Sequence, residues 1–259
     1  MPELPEVETI VRSLAPKLKR RRILSATFHS PLVMRQTPPP QIHGATVRDV
    51  RRHGKFIVIE TDQGFLSIHL GMTGKLLMNG KPGPYTRAEF QLDKGSLLYD
   101  DIRQFGRIEW SRTLPERIAR LGPDPLSLTE DEFVQRLKSR RGSIKPLLLN
   151  QKFLRGLGNI YTDEALFRAG IHPRTTTDRI STPRARKLYR AIIDVLNLAI
   201  DHRGSSISDY VDGEGRKGSF QMLHQVYGRE GEPCPKCGTP IRRIVIGQRG
   251  THYCPRCQR

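Results

Sequence analysis

Two stretches of this sequence concentrate residue types that do chemistry. All four cysteines, Cys234, Cys237, Cys254 and Cys257, lie in the last 26 residues, as C-P-K-C and C-P-R-C with sixteen residues between the pairs. Each C-x2-C supplies two thiolates from one tight turn, and the residues between can form a β-hairpin that returns the second pair to complete a tetrahedron. That is zinc-ribbon spacing. A disulfide framework needs an oxidising compartment, for which nothing else in the chain argues. Four sulfur ligands close the coordination shell and leave no place for water, so one structural Zn2+ is predicted. At the other end, MPELPEVE sets Pro2, Glu3, Glu6 and Glu8 at the extremity of a chain that is otherwise heavily basic. A glutamate near a helix N-terminus suits the macrodipole by ~0.3–1 kcal/mol, and Glu8 is assigned to that role alone.

The background charge bounds the partner. With 44 Lys+Arg against 26 Asp+Glu in 259 residues, the net charge of +18 exceeds what solubility requires and implies a polyanion. Between Cys234 and Arg259 stand Lys236, Arg242, Arg243, Arg249, Arg256 and Arg259 with no acid among them, a rigid basic hairpin suited to phosphates. Arg249, read as midway along the return strand, is expected to point at a backbone phosphate. A membrane partner finds little support: the most apolar helical stretch, Ala191 to Ile200, is interrupted by Asp194 and Asn197 and is too short to span. The N-terminus lacks the basic-then-apolar layout of a signal peptide, and a soluble protein of a reducing, cytoplasmic compartment is predicted.

The elements that must position these residues fall into an α+β, multidomain arrangement. Val7, Ile10, Val11 and Leu14 recur at helical spacing behind Pro5, predicting a helix from Pro5 to about Leu14. From about Ile23 to Trp110, β-branched and aromatic runs (ILSATF, TVRDV, KFIVIET, FLSIHL, SLLYD) alternate with Gly and Pro punctuation such as QTPPP and NGKPGP, the texture of an antiparallel sandwich or barrel. The predicted divisions are a β-sandwich domain with flanking helices over 1–112, a linker over 113–128, a helical domain over 129–225 and a zinc-finger hairpin over 226–259. Thr129 caps EDEFVQRLKS, and the longest helix runs through PRARKLYRAIIDVLNLAID to Arg203-Gly204. GEGRKGSF, residues 213–220, reads as a mobile loop. In LRGLGNIYTDEA, Gly156 and Gly158 precede Asn159 and a helical run; glycines there admit close approach of another backbone, and the N–H groups of a helix start attract phosphate.

MPELPEVET, HLGMTG (His69 to Gly74), GLGNIYTDEALFRAGIHP (Gly156 to Pro173), QVYGREGEPCPKCGTPI (Gln225 to Ile241) and the final CPRC together resemble the bacterial formamidopyrimidine-DNA glycosylase family, which is shared with endonuclease VIII. The resemblance runs in order from residue 2 to the last cysteine. It implies a monomeric, nucleoid-associated repair enzyme acting on double-stranded DNA, which excises oxidised purines such as 8-oxoguanine and formamidopyrimidines and then cuts the strand. It also implies a helix-two-turn-helix motif within the helical domain.

By this resemblance Pro2 is the nucleophile, freed by removal of the initiator methionine, which a small second residue permits. An α-amino group titrates near ~7.7–8.0, so a useful fraction is neutral at physiological pH. Attack on C1′ displaces the base, and because the amine is secondary the product is an iminium that acidifies the C2′ proton, so β- and then δ-elimination follow. Glu3 is implied as general acid/base and Glu6 as part of the same polar cluster. Lys55 is implied to reach the phosphates beside the lesion, and His69, Asn159, Tyr227 and Arg249 to pinch the backbone, with Lys145 and Arg243 as further DNA contacts. Met72, Arg103 and Phe105 resemble the trio that fills the gap left by a flipped nucleotide. The family has proline and arginine flanking that arginine, whereas this chain reads DDIRQFG with Ile102 and Gln104, which puts loop stiffness and opposite-base preference in question.

Two alternatives remain at this level. An endonuclease VIII type enzyme acting on oxidised pyrimidines is opposed by DYVDGEGRKGSFQ, residues 209–221, which resembles the lesion-capping loop of the purine branch. A non-catalytic DNA-binding protein would bind without strand scission.

Overall fold

The computed structural model describes residues 1–34, 42–207 and 209–259; the QTPPP stretch, Gln36 to Pro40, lies outside them. The chain forms two compact units, one of Met1–Arg120 with Ile200–Gln221 and the other of Leu121–Ala199 with Met222–Arg259. The helical module and the zinc hairpin, separate in the sequence reading, thus group together. Ile200–Gln221, assigned there to the helical module, belongs with the first unit.

The first unit opens with α1, Leu4–Leu18. Val7, Ile10, Val11 and Leu14 are buried as their spacing predicts, but the helix runs four residues further, through Pro16. A proline inside a helix forfeits one backbone bond. Here Leu18 is buried one turn beyond Leu14, and the Lys19 N–H closes the end on the Ala15 carbonyl at 3.0 Å. Each such fully buried aliphatic side chain contributes about 1.5–3 kcal/mol, enough to carry the helix past the proline.

Eight strands follow: β1 Ile23–Phe28, β2 Val47–His53, β3 Phe56–Thr61, β4 Phe65–His69, β5 Lys75–Met78, β6 Thr86–Leu92, β7 Ser96–Asp100 and β8 Arg107–Ser111. They pair antiparallel in two four-stranded sheets, ordered β1-β6-β7-β5 and β2-β3-β4-β8. Leu76, Phe90, Leu97 and Tyr99 of the first sheet and Ile57, Ile59, Leu66, Ile68 and Ile108 of the second share one core with α1, so this is a β-sandwich flanked by a helix. Glu8 accepts from Arg52 Nε of β2 and Arg12 Nε of α1, both at 2.8 Å, which ties helix to sheet.

The short α2, Glu116–Ala119, ends this run. The second unit holds α3 Glu130–Lys138, α4 Ile144–Leu149, α5 Asn159–Ala169 and most of α6 Thr182–Asp201, whose last residues belong to the first unit. Thr129 and Glu132 form a reciprocal capping box at the start of α3. The zinc-ribbon hairpin is β9 Arg242–Ile246 and β10 Arg249–Tyr253. Its two-residue turn puts both Gly247 (φ 55°) and Gln248 (φ 61°) in the left-handed region, the requirement of a type I′ turn. Among the described residues no helix is long and apolar enough to cross a membrane.

Candidate active site and nucleic-acid interface

At the start of the first unit, Pro2 and Glu3 are buried while Met1 is 49% exposed. Glu3 is the N-cap of α1. Its carboxylate accepts the Glu6 N–H, and Glu6 Oε2 accepts the Glu3 N–H at 2.8 Å. The second Glu6 oxygen, Oε1, accepts the Ser205 N–H at 2.7 Å, and the Tyr210 hydroxyl donates to the Glu6 carbonyl at 3.3 Å. Glu6 therefore fastens the N-terminal residues and the 200–221 segment to one carboxylate.

Lys55 stands immediately before β3, and Phe56 pairs with His69 at the end of β4, which brings Lys55 and His69 to one end of the second sheet. Burial first, then the charges of Lys55, Arg117 and Arg107, lower the His69 pKa to about 4, so the imidazole is neutral at physiological pH. Its Nδ1 lies 3.2 Å from the Gly71 N–H and accepts from it, so the proton sits on Nε2. His69 is a neutral donor rather than a cation.

Beyond His69 two loops are stitched at Asp101. Its Oδ1 accepts from Thr73 Oγ1 at 2.5 Å, and its Oδ2 accepts from the Gly106 N–H at 2.8 Å and the Tyr99 hydroxyl at 3.2 Å. Thr73 Oγ1 in turn accepts the Arg103 N–H at 3.0 Å. Gly71, at φ +60°, approaches so closely that a Cβ there would stand 2.6 Å from the Gly106 nitrogen. The stitched loops hold Met72 and Phe105, 43% and 51% exposed, around Arg103. Arg103 Nη1 lies 3.4 Å from Met72 Sδ, and its guanidinium carbon lies 4.6 Å from the Phe105 ring centroid. The sequence-predicted trio is thus one exposed cluster. Gln104 takes a left-handed backbone (φ 53°), and its Oε1 accepts from the buried Ser30 hydroxyl at 2.5 Å, which supplies a brace to the loop.

In the second unit, Lys145 requires a correction. It is fully buried in α4, with Nζ 2.6 Å from Asp163 Oδ1 of α5 and 3.2 Å from the Gly250 carbonyl of β10. A solvent-free ammonium facing a carboxylate is a structural pair and not a DNA contact. Asp163 Oδ2 accepts the His252 N–H at 2.8 Å, and Asn159 Nδ2 donates to the same Gly250 carbonyl at 2.8 Å. Three side chains on α4 and α5 hold the backbone of β10. Next to Asp163, buried Glu164 accepts the N–H groups of Gln225, Val226 and Tyr227 at 2.9–3.0 Å and so places Tyr227. The turn before α5 is fixed by Gln151, which donates to the Leu157 carbonyl at 2.8 Å and accepts the Gly156 N–H at 2.8 Å.

Arg243 and Arg249 are exposed on the hairpin. Arg249 occupies the first position of β10, at the turn, and not the middle of the strand as read from sequence. The four cysteine sulfurs lie within 4.8 Å of one another, with Cys237–Cys254 at 3.5 Å and Cys234–Cys257 at 3.9 Å. A disulfide requires ~2.05 Å, whereas four thiolates at ~2.3 Å from a tetrahedral Zn2+ stand ~3.8 Å apart. The donor set fits one structural zinc. N–H groups of Lys236 and Cys257 approach Cys234 and Cys254 sulfurs at 3.4 Å, as thiolate ligands attract.

Asp101, Asp163 and Glu164 escaped the sequence reading. Asp163 and Glu164 stand inside IYTDEALF, and Lys145 inside IKPLLL; ionised residues embedded in apolar runs are the signal of buried pairing.

A β-sandwich with a capped acidic N-terminus, followed in the chain by a helical module clasping a zinc hairpin, is the build of a DNA-repair glycosylase. Residues 1–108 match the model of the formamidopyrimidine-DNA glycosylase N-terminal domain, 121–211 that of its H2TH domain and 231–259 the zinc finger found in FPG and IleRS. The chain belongs to the formamidopyrimidine-DNA glycosylase family. It is 56% identical over its full length, and the full length of the relative, to the formamidopyrimidine-DNA glycosylase of Solibacter usitatus. To that of Deinococcus radiodurans it is 43% identical, covering all of this chain and 97% of the other. The crystal structure of the MutM (FPG) protein of Thermus thermophilus superposes with a TM-score of 0.90 at 41% identity, covering 99% of this chain and 98% of that one. A variant Lactococcus lactis FPG in complex with Fapy-dG-containing DNA gives 0.89 at 33% identity, with both chains covered completely.

Proposed function

We propose that the chain excises oxidised purines, 8-oxoguanine and formamidopyrimidines, from double-stranded DNA through an N-terminal proline Schiff base and then cleaves the strand by β,δ-elimination. The observation that carries this reading is the placement of the Met1–Pro2 bond. Pro2 is buried beside the capped Glu3 while Met1 stands half in solvent, so removal of Met1 frees a secondary amine next to a fixed carboxylate. Relatives solved on Fapy-dG-containing and abasic-site-containing DNA support the substrate class.

In this mechanism the Pro2 nitrogen forms a bond to C1′ as the C1′–N bond to the base breaks, and the base leaves with a proton. A proton delivered to O4′ then opens the C1′–O4′ bond and gives the iminium, which makes the C2′ hydrogen acidic; its loss as a proton expels the 3′-phosphate, and loss of the C4′ proton in a second elimination expels the 5′-phosphate. No electrons are exchanged with an external reagent. Glu3 serves the proton transfers at the sugar, and Glu6 positions Glu3. Lys55 supplies charge, and neutral His69 a hydrogen bond, to the phosphates flanking the lesion. Asn159, Tyr227, Arg243 and Arg249 make the backbone contacts of the second unit. Met72 and Phe105 wedge into the gap left by the flipped nucleotide, and Arg103 hydrogen-bonds the orphaned base. The zinc keeps the hairpin rigid.

Borohydride trapping on a duplex carrying 8-oxoguanine tests the reading. The matured chain is expected to form a covalent adduct, and a form retaining Met1 behind an uncleavable extension is expected to form none. Trapping by the extended form would overturn the nucleophile, and retention of DNA without scission by the matured chain would leave only a binding protein. Thymine glycol processed in preference to 8-oxoguanine would move the substrate to oxidised pyrimidines.

A further inference from the structure

We infer that Ser30 and Gln104 are positioning residues that fix how Arg103 meets the base opposite the lesion, and so set how sharply that base is discriminated. The inference rests on the proposed role of Arg103 at the orphaned base.

Gln104 stands between Arg103 and Phe105, and its backbone decides how those two exposed side chains lie. Its φ of 53° falls in the left-handed region that glutamine rarely adopts. In that conformation the Arg103 guanidinium carbon lies 4.6 Å from the Phe105 ring centroid. Rotation of Gln104 into an ordinary backbone well would swing one of the two away from the other. A conformation of this kind persists only where its surroundings hold it.

The holding group is Ser30, 74 residues away in sequence, whose hydroxyl donates to Gln104 Oε1 at 2.5 Å. That hydroxyl is aimed: it accepts the Leu32 N–H at 3.2 Å, which leaves its proton for Gln104. Ser30 is 6% exposed and sits in a fixed frame. The preceding His29 N–H donates to the Arg87 carbonyl of β6 at 2.9 Å, and the Ser30 carbonyl accepts the Val33 and Met34 N–H groups at 3.3 Å. The Val33 carbonyl accepts the Ile108 N–H of β8 at 2.9 Å. The turn that begins at Ser30 is thus joined to both sheets of the sandwich, and the brace carries that frame to the residue beside Arg103. Arg107 Nη1 closes the other side, donating to the Gln104 carbonyl at 3.0 Å.

A guanidinium has donors only. Cytosine presents two adjacent acceptors, O2 and N3, on its pairing edge, whereas adenine presents one acceptor, N1, beside an amino donor. A fixed Arg103 therefore favours cytosine. One that is free to turn away from the amino group penalises adenine less. The brace acts on this contact and leaves the phosphate contacts alone.

The test measures binding, so its result does not depend on excision. The full, matured chain is titrated with three duplexes that carry an uncleavable abasic-site analogue opposite cytosine, adenine or a second such analogue. The unaltered chain is expected to bind the cytosine duplex about fivefold or more tighter than the adenine duplex. Ser30→Ala is expected to cut that preference about threefold, with affinity for the duplex lacking an opposite base within about twofold of the original. Gln104→Met keeps the length of the side chain without its acceptor and is expected to do the same, and the double variant no more than either single. Hydrogen exchange at the Arg103 and Gly106 amides of the free chain is expected to accelerate in both single variants. An unaltered chain without preference, an unchanged preference in Ser30→Ala, or equal losses on all three duplexes overturns the inference. Unchanged exchange overturns the brace, and losses that multiply in the double variant overturn the pairing of Ser30 with Gln104. Excision of 8-oxoguanine by the same samples decides the proposed chemistry separately: an inert chain removes that chemistry, while the affinity ratio still decides the role of Ser30 and Gln104.

Discussion

Lys145 Nζ stands 2.6 Å from Asp163 Oδ1, and neither side chain has any exposure to solvent. The pair is joined by the His252 N–H on the other Asp163 oxygen and by the Gly250 carbonyl on the ammonium, so two helices and a strand meet at one ion pair.

Lys145→Met leaves the Asp163 carboxylate buried without its countercharge. Breaking a buried pair from one side costs about 3–5 kcal/mol, and the loss is expected in urea unfolding of the second unit. A lysine bound to a phosphate behaves differently: its removal lowers the salt slope of DNA binding by about 0.9 and leaves stability nearly unchanged. A full-length variant of undiminished stability with a reduced slope would return Lys145 to the interface.

Glu6→Ala removes one acceptor from the Glu3 and Ser205 N–H groups together. Hydrogen bonds to a charged acceptor are worth about 1.5–3 kcal/mol each, and a combined loss of about 3–6 kcal/mol is expected in denaturant midpoints. Because Glu6 positions Glu3, scission of abasic DNA is expected to fall with it, whereas a purely structural role would spare the folded fraction's activity.

His69 has a folded pKa of about 4 against an ordinary 6.5. As pH falls below 6.5 the unfolded chain takes up a proton there and the folded chain does not. Its stabilising contribution is therefore full above 6.5 and is lost as pH falls through about 4. Imidazole resonances of the free protein should titrate His69 near 4, and the stability difference between the chain and a His69→Gln variant should narrow over that window. A midpoint near 6.5 would make His69 a cation at the interface after all.

Phe105→Ala removes a half-exposed ring from the Met72–Arg103 cluster. Little stability is at stake, but in the proposed wedging role the ring offsets part of the few kcal/mol that unstacking a base step takes, so kcat/KM on 8-oxoguanine is expected to fall about tenfold or more. Melting curves and cleavage rates on the same sample separate the two effects.

Zinc removal by chelation, or Cys237→Ser, is expected to unfold the hairpin that carries Arg243 and Arg249 and to abolish DNA binding, while the sheet signal of the first unit persists in circular dichroism. For the intact chain, neutralisation of about eight phosphates is the expectation, and the log–log salt slope of binding is expected to be roughly −7.

Much of this arrangement is legible in the residues. Val7, Ile10, Val11 and Leu14 announce α1, the run FLSIHL a strand, and the C-x2-C pairs the metal-binding hairpin, because each depends on local spacing. Glu6 and Asp101 were not legible in the same way. Their partners, Ser205 in one case and Thr73, Tyr99 and Gly106 in the other, are brought by the fold from distant positions, and no period in the sequence marks them. The strands β5, β6 and β8 lie outside the apolar runs of the sequence: β5 has only four residues, and in β6 and β8 charged residues, Arg87 and Glu89 or Arg107 and Glu109, alternate with the buried ones. Lys145, a DNA contact by resemblance, is buried on Asp163 instead, and that pairing depends on the packing of α4 on α5, which no local spacing marks.

The return of Ile200–Gln221 to the first unit gives the molecule a timetable. Glu6 precedes Ser205 by 199 residues, so its partner emerges from the ribosome only after the whole intervening helical module has been synthesised. The amino-terminal sandwich therefore cannot reach its finished form during its own translation, and a gene truncated after the strands would encode a unit lacking the segment that Glu6 secures.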